Sequence, residues 1–366
     1  MGDEYKKIRL AAVQAAPVFL NREASVAKAC ALIREAGANG ADMIGFPEGF
    51  IPTHPGWFNF IPDVGDRALL MSRELFKNAV EVPSPATDEL GRACREANIV
   101  AVVGINEKVS RTTGTMYNTQ LFIDRNGEIL GKHQKMVPTN GERLVHTGGH
   151  GSTMRAYHTH FGAISGMLCG ENSNPLATFA LSVYYPVVHV AAWPAHFNAS
   201  YVMQDSIMAA TRGLAYSMKS FVINSVAVVT DELIERYAMT PEDREYLTAA
   251  KSRGGASIIG PKGQVLAEMG PGEGILYADV DLQDVIIPKL IHDFAGHYNR
   301  PDVFQVAVAP EERQLLIHVS GQLIRDGSQG GPAPQELPGD KPKPPLPLPG
   351  TRPQLPGMTG GGEFDD

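Results

Sequence analysis

The sequence predicts a layered α/β fold, and three observations favour this class. Short apolar segments typical of buried strands alternate with longer segments in which apolar residues recur at helical spacing. Residues 117–123 and 128–131 flank the tetrapeptide DRNG, which is a hairpin signal. Strands that are separated both by helices and by hairpins indicate a mixed sheet, or two sheets, covered by helices.

The predicted elements follow one another from the N-terminus. An apolar strand at residues 8–14 precedes a helix, residues 22–36, in which Val26, Cys30 and Ile33 share one face. A later helix begins after Asn174, a residue type that caps helix N-termini, with Pro175 in its first position. The remaining predicted strands are 42–46, 99–105, 117–123, 128–131, 163–168, 187–192, 221–229, 257–260 and 275–280, and the remaining helices are 87–97 and 204–218.

The two ends of the chain differ in composition. We expect one domain over residues 1–320, because this part carries the predicted strands and helices. Residues 327–366 contain 10 Pro and 9 Gly, including the run KPKPPLPLP. Such a segment cannot bury enough apolar surface to offset the entropy lost on ordering. We predict a disordered or polyproline-like tail there, with a PxxP ligand role as the alternative.

Composition and charge argue against several classes of function. The net charge of −8 and the isoelectric point of about 5.8 disfavour a nucleic-acid partner, which would require basic patches. The sequence contains no run of 18 or more apolar residues, so no membrane-spanning helix is expected. The N-terminal sequence MGDEYKKIRL lacks the apolar core of a secretory signal, which predicts a cytoplasmic protein.

The three cysteines of the chain differ in their predicted surroundings. Cys30 and Cys94 lie on the apolar faces of predicted helices and are expected to pack in the core. Cys169 instead stands where the apolar strand 163–168 ends and a polar, glycine-containing loop begins. Reactive groups gather at the carboxyl ends of strands in α/β proteins. Cys169 is therefore a candidate nucleophile, with simple burial at a strand end as the alternative.

A cysteine nucleophile needs a base or a positively charged neighbour. The histidines of the chain match neither the HExxH metal motif nor a local signature of cysteine proteases. Glu48 follows an apolar strand in the segment MIGFPEGF, where partial burial would raise the carboxyl pKa and suit it to carry protons. Lys135 follows another strand and could stabilise an oxyanion. Taken singly, a solvated loop glutamate and a surface lysine are the default interpretations of these two residues.

Taken together and in this order, Glu48, Lys135 and Cys169 resemble the Glu-Lys-Cys triad of the nitrilase superfamily. The flanking segments FPEGFIPTHP, KHQKMVPTNGERLVHTGG and SGMLCGENSNPL are similar to the three motifs of that superfamily. The segment DFAGHYNRPDVF resembles one that is typical of true nitrilases. The resemblance extends from Ile8 to Phe304, nearly the whole chain before the tail.

This resemblance implies a four-layer α-β-β-α sandwich and a covalent mechanism without a metal or an organic cofactor. Glu48 would be the general base, Cys169 the nucleophile, and Lys135 with the amide of Gly170 the stabilisers of the oxyanion. Glu142 matches a second glutamate that positions the site in this family, with a structural hydrogen bond as the alternative. Many family members carry a bulky aromatic residue where this chain has Gly170, which leaves the substrate preference open.

Further expectations concern the substrate pocket and the partners. A pocket rim is expected to include His54, Trp57, Trp193 and His196, although structural packing explains these residue types equally well. The implied substrates are a small-molecule nitrile and water. The resemblance also implies a homodimer or a larger homo-oligomer, with a spiral as one form.

Two rival functions remain on the sequence alone. An amidase or carbamoylase would use the same triad, because an amide carbonyl is attacked by the same thiolate. A catalytically silent scaffold would use the fold only for assembly, but such a protein would be expected to have lost part of the triad, which is intact in this chain.

Overall fold

The computed structural model describes residues 2–62, 65–196 and 203–311, together with the backbone of two short strands further on. The predicted tail at 327–366 lies outside the described residues. The strands are β1 (Lys7–Gln14), β2 (Met43–Gly45), β3 (Val100–Lys108), β4 (Met116–Ile123), β5 (Ile129–Gln134), β6 (Tyr157–Thr159), β7 (Gly162–Leu168), β8 (Val188–Trp193), β9 (Phe221–Val226), β10 (Ser257–Ile259), β11 (Val265–Glu268), β12 (Gly274–Asp281), β13 (Leu316–Ile317) and β14 (Leu323–Ile324). The helices are α1 (Arg22–Ala38), α2 (Asp66–Asn78), α3 (Pro85–Ala97), α4 (Pro175–Ser182), α5 (Met203–Met218), α6 (Asp231–Tyr237), α7 (Pro241–Ala250) and α8 (Ile286–Ile291).

Strands β1 to β12 form two halves of a mixed sheet. The first half has the order β5-β4-β3-β2-β1-β12, in which β1, β2 and β3 are parallel and the outer strands are antiparallel to their neighbours. The second half has the order β6-β7-β8-β9-β10-β11, in which β7, β8 and β9 are parallel. The halves are joined where Gln14 of β1 pairs with Val226 of β9.

The two halves face each other and are covered by helices, so four layers result. Between the halves lies one apolar cluster, in which Leu10 and Val102 of the first half meet Val190 and Ile223 of the second. Outside the first half, α1 and α3 pack on the opposite faces of β1 and β3. Outside the second half, α4 and α5 do the same for β8 and β9. Burying each large side chain contributes about 1.5–3 kcal/mol. The predicted α-β-β-α sandwich is thus confirmed.

Local signals in the sequence account for several element ends. Asn174 accepts hydrogen bonds from the backbone N–H groups of Leu176 and Ala177, at 2.9 and 3.3 Å, so it caps α4 as predicted. Asn21 caps α1 in the same way by accepting from the N–H of Ala24. These caps satisfy backbone donors that a helix leaves unpaired in its first turn.

Three predicted strands end elsewhere in the structure. β3 extends to Lys108, beyond the predicted end at 105. β5 extends to Gln134, beyond the predicted end at 131, because Thr119 of β4 continues to pair with it. β9 ends at Val226, before the predicted end at 229. Residues 227–229 are still buried, but Ala227 and Val229 belong to a separate apolar cluster outside the sheet. Apolar character alone therefore does not distinguish a strand from a buried loop.

That separate cluster includes elements that the sequence pattern did not predict. It joins α2, α6 and α7 to the loop around Trp57 and covers the end of the sandwich at which β2 and β9 terminate. Cys30 and Cys94 lie in the α1–α3 layer, at 5% and 0% exposure, as predicted. Among the described helices, none is both long and apolar enough to cross a membrane.

The topology brings the candidate residues to one edge. β5 runs antiparallel to β4 and β4 antiparallel to β3, so β5 points the same way as β2. β7 is parallel to β8 and β8 to β9, which pairs in parallel with β1. The carboxyl ends of β2, β5 and β7 consequently meet at the same edge of the sandwich.

Candidate active site

Glu48, Lys135 and Cys169 lie together at this edge, each just past the end of a strand. Lys135 Nζ is 2.7 Å from Glu48 Oε1, and both side chains are almost wholly buried. The charges of Glu48, Lys135 and Glu142 all act on the Cys169 thiol. The expected grouping of the three residues is therefore present, although they lie far apart along the chain.

Burial dominates the electrostatics of Glu48. It raises the carboxyl pKa to about 7, although the Lys135 ammonium partly offsets this effect. One carboxylate oxygen, Oε1, accepts hydrogen bonds from Lys135 and Asn118 at 2.7 and 2.6 Å. The other oxygen, Oε2, is buried and has no hydrogen-bond partner among the described residues. A carboxylate with one free oxygen and a near-neutral pKa is suited to accept and return a proton.

Lys135 is held between two carboxylates. Its Nζ donates to Glu48 Oε1 and to Glu142 Oε2, both at 2.7 Å. Burial alone would lower the lysine pKa, but the two carboxylates outweigh it and raise the pKa above its usual value. Lys135 in turn holds the pKa of Glu142 far below normal, against the effect of burial. The ammonium group is thus permanently charged at neutral pH.

Two neighbours of this pair were not predicted from the sequence. The Asn118 side-chain amide donates to Glu48 Oε1 at 2.6 Å and to Glu142 Oε1 at 2.7 Å, so one NH₂ group joins both carboxylates. His146, one helical turn after Glu142, contacts Glu142 Oε1 at 3.1 Å and Asn106 Oδ1 at 2.8 Å. The signal that could have revealed Asn118 is a run of polar residues inside a buried strand.

Cys169 begins a short 3₁₀ turn, Cys169–Ser173, directly after β7. Its φ of +50° lies in the left-handed region, which costs a non-glycine residue about 1–3 kcal/mol and occurs often at functional sites. The backbone amide of Gly170 lowers the pKa of the thiol, but burial outweighs this effect. Burial raises the thiol pKa to about 12, and the negative charge of Glu48 adds to this effect. The resting group is therefore the neutral thiol.

A buried chain of hydrogen bonds supports the strained turn. The Asn172 amide donates to the carbonyls of Met167 and Cys169 at 3.2 and 2.9 Å. Asn172 Oδ1 contacts His189 Nε2 at 3.0 Å, and His189 Nδ1 contacts Ser165 Oγ at 2.8 Å. Burial lowers the pKa of His189 to about 3, so the imidazole is neutral. The chain connects the backbone on both sides of Leu168 to the interior of the sheet.

The residues expected at the pocket rim have different positions. His54 is at the site: its Nε2 lies 3.6 Å from Glu48 Oε1, and burial lowers its pKa to about 3, so the ring is neutral. Trp57 is fully buried among aromatic rings, with the rings of Phe58 and Tyr237 at 5.7 and 6.2 Å. Trp57 therefore packs in the apolar cluster that covers this end of the sandwich.

Trp193 and His196 also have structural partners. The Trp193 indole donates to Asn224 Oδ1 at 2.6 Å, while its backbone carbonyl accepts from the Glu48 N–H at 3.2 Å. His196 Nε2 contacts the carbonyl of Gly254 at 3.0 Å. These contacts favour the packing alternative for the side chains of both residues, and the Trp193 backbone helps to place Glu48.

Glu48, His54 and Glu142 form the one group among the described residues whose ligand atoms are close enough for a metal ion. Their atoms lie within 4.8 Å of one another. However, the Lys135 ammonium already contacts both carboxylates at 2.7 Å and neutralises much of their charge. A dication here would face that cation directly, so the donor set fits an ammonium-centred site better than a metal site.

Comparisons with known proteins show the family of the chain. The family model described as carbon-nitrogen hydrolase matches residues 9–286. The chain is 35% identical over 319 residues to a nitrilase from Bacillus sp. (strain OxB-1), covering 86% of this chain and 92% of that one. It is also 35% identical over 308 residues to an aliphatic nitrilase from Rhodococcus rhodochrous, covering 82% and 79% of the two chains.

A solved structure shares the fold. It is Nit3 of Saccharomyces cerevisiae, described as a member of branch 10 of the nitrilase superfamily. The TM-score is 0.62 at 17% identity, and the match covers 82% of this chain and 100% of that one. At this identity the likeness shows the fold alone.

Proposed function

This chain belongs to the carbon-nitrogen hydrolase family, in its nitrilase branch, and from that premise we propose that it hydrolyses an organic nitrile to the carboxylic acid and ammonia. The nitrile is supported by the similarity to nitrilases at 35% identity over most of both chains. The mechanism rests on one observation above all, the buried Glu48–Lys135 pair beside Cys169.

The first step is attack by sulfur with transfer of its proton. Because the thiol pKa is raised to about 12, a free thiolate is scarce at neutral pH. Glu48, whose pKa is about 7, is substantially ionised at the same pH and carries an unpartnered oxygen. As the S–C bond forms, Glu48 takes the thiol proton and the π electrons of the C≡N bond pass to nitrogen. Glu48 then returns that proton to nitrogen, which gives a thioimidate.

Two molecules of water complete the reaction. The first, deprotonated by Glu48, adds to the thioimidate carbon, and the tetrahedral species collapses with loss of ammonia to give a thioester. The second water adds in the same way, and the C–S bond breaks to release the acid and restore the thiol. Lys135 Nζ and the Gly170 amide are the donors that stabilise negative charge on these species, an effect worth about 10²–10³ in kcat per donor.

Glu142 acts through Lys135. Its Oε2 holds the ammonium at 2.7 Å, and its Oε1 accepts from Asn118. It also accepts the backbone N–H of Thr139 at 2.9 Å, which fixes the loop that carries it. Glu142 is thus a positioning residue that keeps Lys135 charged and in place beside Glu48.

The pKa of Glu48 predicts a specific pH profile. The base must be ionised, so kcat/KM should fall about tenfold per pH unit below pH 7 and level off above it. The measurement is kcat/KM from pH 5 to 9 at constant ionic strength, by release of ammonia. A profile that is flat from pH 5 to 8 would exclude Glu48 as the base that titrates near neutrality.

The nearest rival is an amidase or carbamoylase with the same triad, and one experiment separates them. The protein is incubated with a nitrile and, separately, with the matching amide, and ammonia is measured from each. We expect ammonia from the nitrile. Ammonia from the amide alone would contradict the proposed substrate while leaving the triad in place.

Other features stay predictions from the sequence. They are a homodimer or larger homo-oligomer, a cytoplasmic location, the absence of a nucleic-acid partner, and a single hydrolase domain at residues 1–320. Exposed apolar side chains on and after α8, including Leu290, Ile291 and Phe304 at 70–71% exposure, are consistent with self-association.

A further inference from the structure

Glu171 lies two residues after Cys169 and has no role in the proton transfers described above. It is 7% exposed, and its carboxylate accepts three hydrogen bonds. Oε1 accepts from the backbone N–H of Met136 at 2.7 Å. Oε2 accepts from the backbone N–H of Leu168 at 3.1 Å and contacts His133 Nε2 at 2.9 Å. One carboxylate therefore joins segments from β5 and from β7.

The positions of these backbone donors matter more than their number. Met136 directly follows Lys135, and Leu168 directly precedes Cys169. β5 and β7 belong to opposite halves of the sandwich, so no strand pairing sets the distance between their ends. Glu171 bridges this gap at the two residues beside the lysine and the nucleophile.

The chemistry of the bridge requires a carboxylate. The partners His133, Leu168 and Met136 hold the pKa of Glu171 below its ordinary value despite burial. A carboxylate can accept from both backbone amides at once, one on each oxygen. A glutamine in the same place would offer one acceptor oxygen and would turn an NH₂ donor toward a backbone N–H. One of the two backbone contacts would then be lost.

We propose that Glu171 is a positioning residue that fixes the separation of the two oxyanion donors, Lys135 Nζ and the Gly170 N–H. Gly170 lies between Cys169 and Glu171 in the same short turn, and Lys135 is adjacent to Met136, so the carboxylate bonds to the two backbone segments that carry these donors. The inference rests on the proposed function for the identity of the donors. It deepens that function by naming the residue that fixes the distance between them.

The test is the substitution Glu171→Gln in the full chain, read in three assays. Because the donors act mainly on the transition state, kcat should fall by about 10²-fold while KM changes by less than about threefold. An aldehyde analogue of the substrate adds the thiol across its C=O bond, with the thiol proton passing to Glu48. Its tetrahedral oxyanion needs the same donors, so its Kd should rise by about 10²-fold. Alkylation of Cys169 by iodoacetamide forms no oxyanion, so its rate should stay within about threefold of wild type.

Two further variants make the result specific. Glu171→Asp keeps the charge but is one methylene shorter, so it cannot span both amides and should show the same pattern in weaker form. It also provides a second reading if Glu171→Gln fails to fold. The matched control is Glu107→Gln. Glu107 is a buried carboxylate that accepts from the side chains of Thr119, Lys132 and Gln134, and not from a backbone N–H beside Lys135 or Cys169. This control should leave both kcat and the Kd of the aldehyde analogue unchanged.

Each other outcome overturns the inference. An unchanged kcat in Glu171→Gln would show that the donors are placed without this carboxylate. A parallel loss of alkylation would show that Glu171 maintains the cysteine turn as a whole and does not act on the oxyanion donors in particular. Failure of the proposed function gives a different pattern, because wild type would then hydrolyse the amide and not the nitrile. The aldehyde and alkylation assays would still test the role of Glu171 in that case.

Discussion

Replacing Cys169 with alanine is expected to abolish hydrolysis, with a loss in kcat of at least about 10⁴-fold. The reason is that the covalent route disappears with the sulfur, and no other described nucleophile has both Glu48 and Lys135 beside it. Glu48 alone could still direct a water, but splitting the reaction into two covalent halves would no longer be available. Ammonia release from the nitrile, followed over days at high enzyme concentration, measures the residual rate.

The chain offers matched controls for this substitution. Cys30 and Cys94 are buried in the α1–α3 layer, and burial raises the pKa of both thiols. Cys30→Ala and Cys94→Ala remove a sulfur of the same size without touching the active site. They should lower stability slightly and leave kcat unchanged. If Cys169→Ala retained wild-type hydrolysis, both the proposed mechanism and the proposed site would be wrong.

Replacing Lys135 with methionine is expected to affect both activity and stability. Activity should fall by about 10²–10³-fold or more, because an oxyanion donor is lost and Glu48 becomes harder to ionise. The free energy of unfolding should fall by about 3–5 kcal/mol, because Glu48 and Glu142 lose the buried cation between them. Urea denaturation followed by circular dichroism measures the second effect.

The stability loss should depend on pH in a defined direction. Without the lysine, the pKa of Glu142 is no longer held below its ordinary value, and the folded-state pKa of Glu48 lies further above its unfolded value. Such a group stabilises the fold at low pH, where it is protonated in both states, and loses that contribution as pH rises toward its folded pKa. Lys135→Met should therefore be less destabilised at pH 5 than at pH 8. Equal destabilisation at pH 5 and pH 8 would mean that repulsion between the ionised carboxylates does not contribute to the stability loss of the variant.

A second substitution and a control separate charge from packing. Adding Glu142→Gln to Lys135→Met removes one uncompensated carboxylate, so stability should partly recover while activity does not. Lys28→Met removes a lysine from an ion pair with Glu273 in which both side chains are partly exposed. Such pairs contribute about 0–1 kcal/mol, so this control should have little effect on either property.

Some of the site was predictable because the relevant information is local. Cys169, Glu48 and Lys135 each follow an apolar strand, and their flanking segments resemble the motifs of a known superfamily. The cap at Asn174 was likewise predictable, because its partners are two and three residues away. The direction of the pKa shift of Glu48 was also predictable, because the apolar residues around it in the sequence indicate burial.

Other predictions depended on contacts that the sequence pattern does not contain. The end of β9 was misplaced because residues 227–229 are apolar but pack outside the sheet. Helices α2, α6 and α7 were not predicted, although they form part of the cover over the edge that carries Glu48. For Trp57 and His196 the sequence left a pocket rim and structural packing open, and the contact of Trp57 with Tyr237 and of His196 with Gly254 favours packing. Residue type alone did not distinguish rim from packing.

The sequence by itself determined the fold class, the family resemblance and the three residues at the strand ends, because periodicity and short motifs are properties of adjacent residues. Only the tertiary structure decided that Asn118 joins Glu48 to Glu142 and that Glu171 joins the ends of β5 and β7. Asn118 is 70 residues from Glu48, and Glu171 is 35 residues from Met136. A hydrogen bond acts over about 3 Å, so partners this far apart are selected only when the strands are already paired and packed.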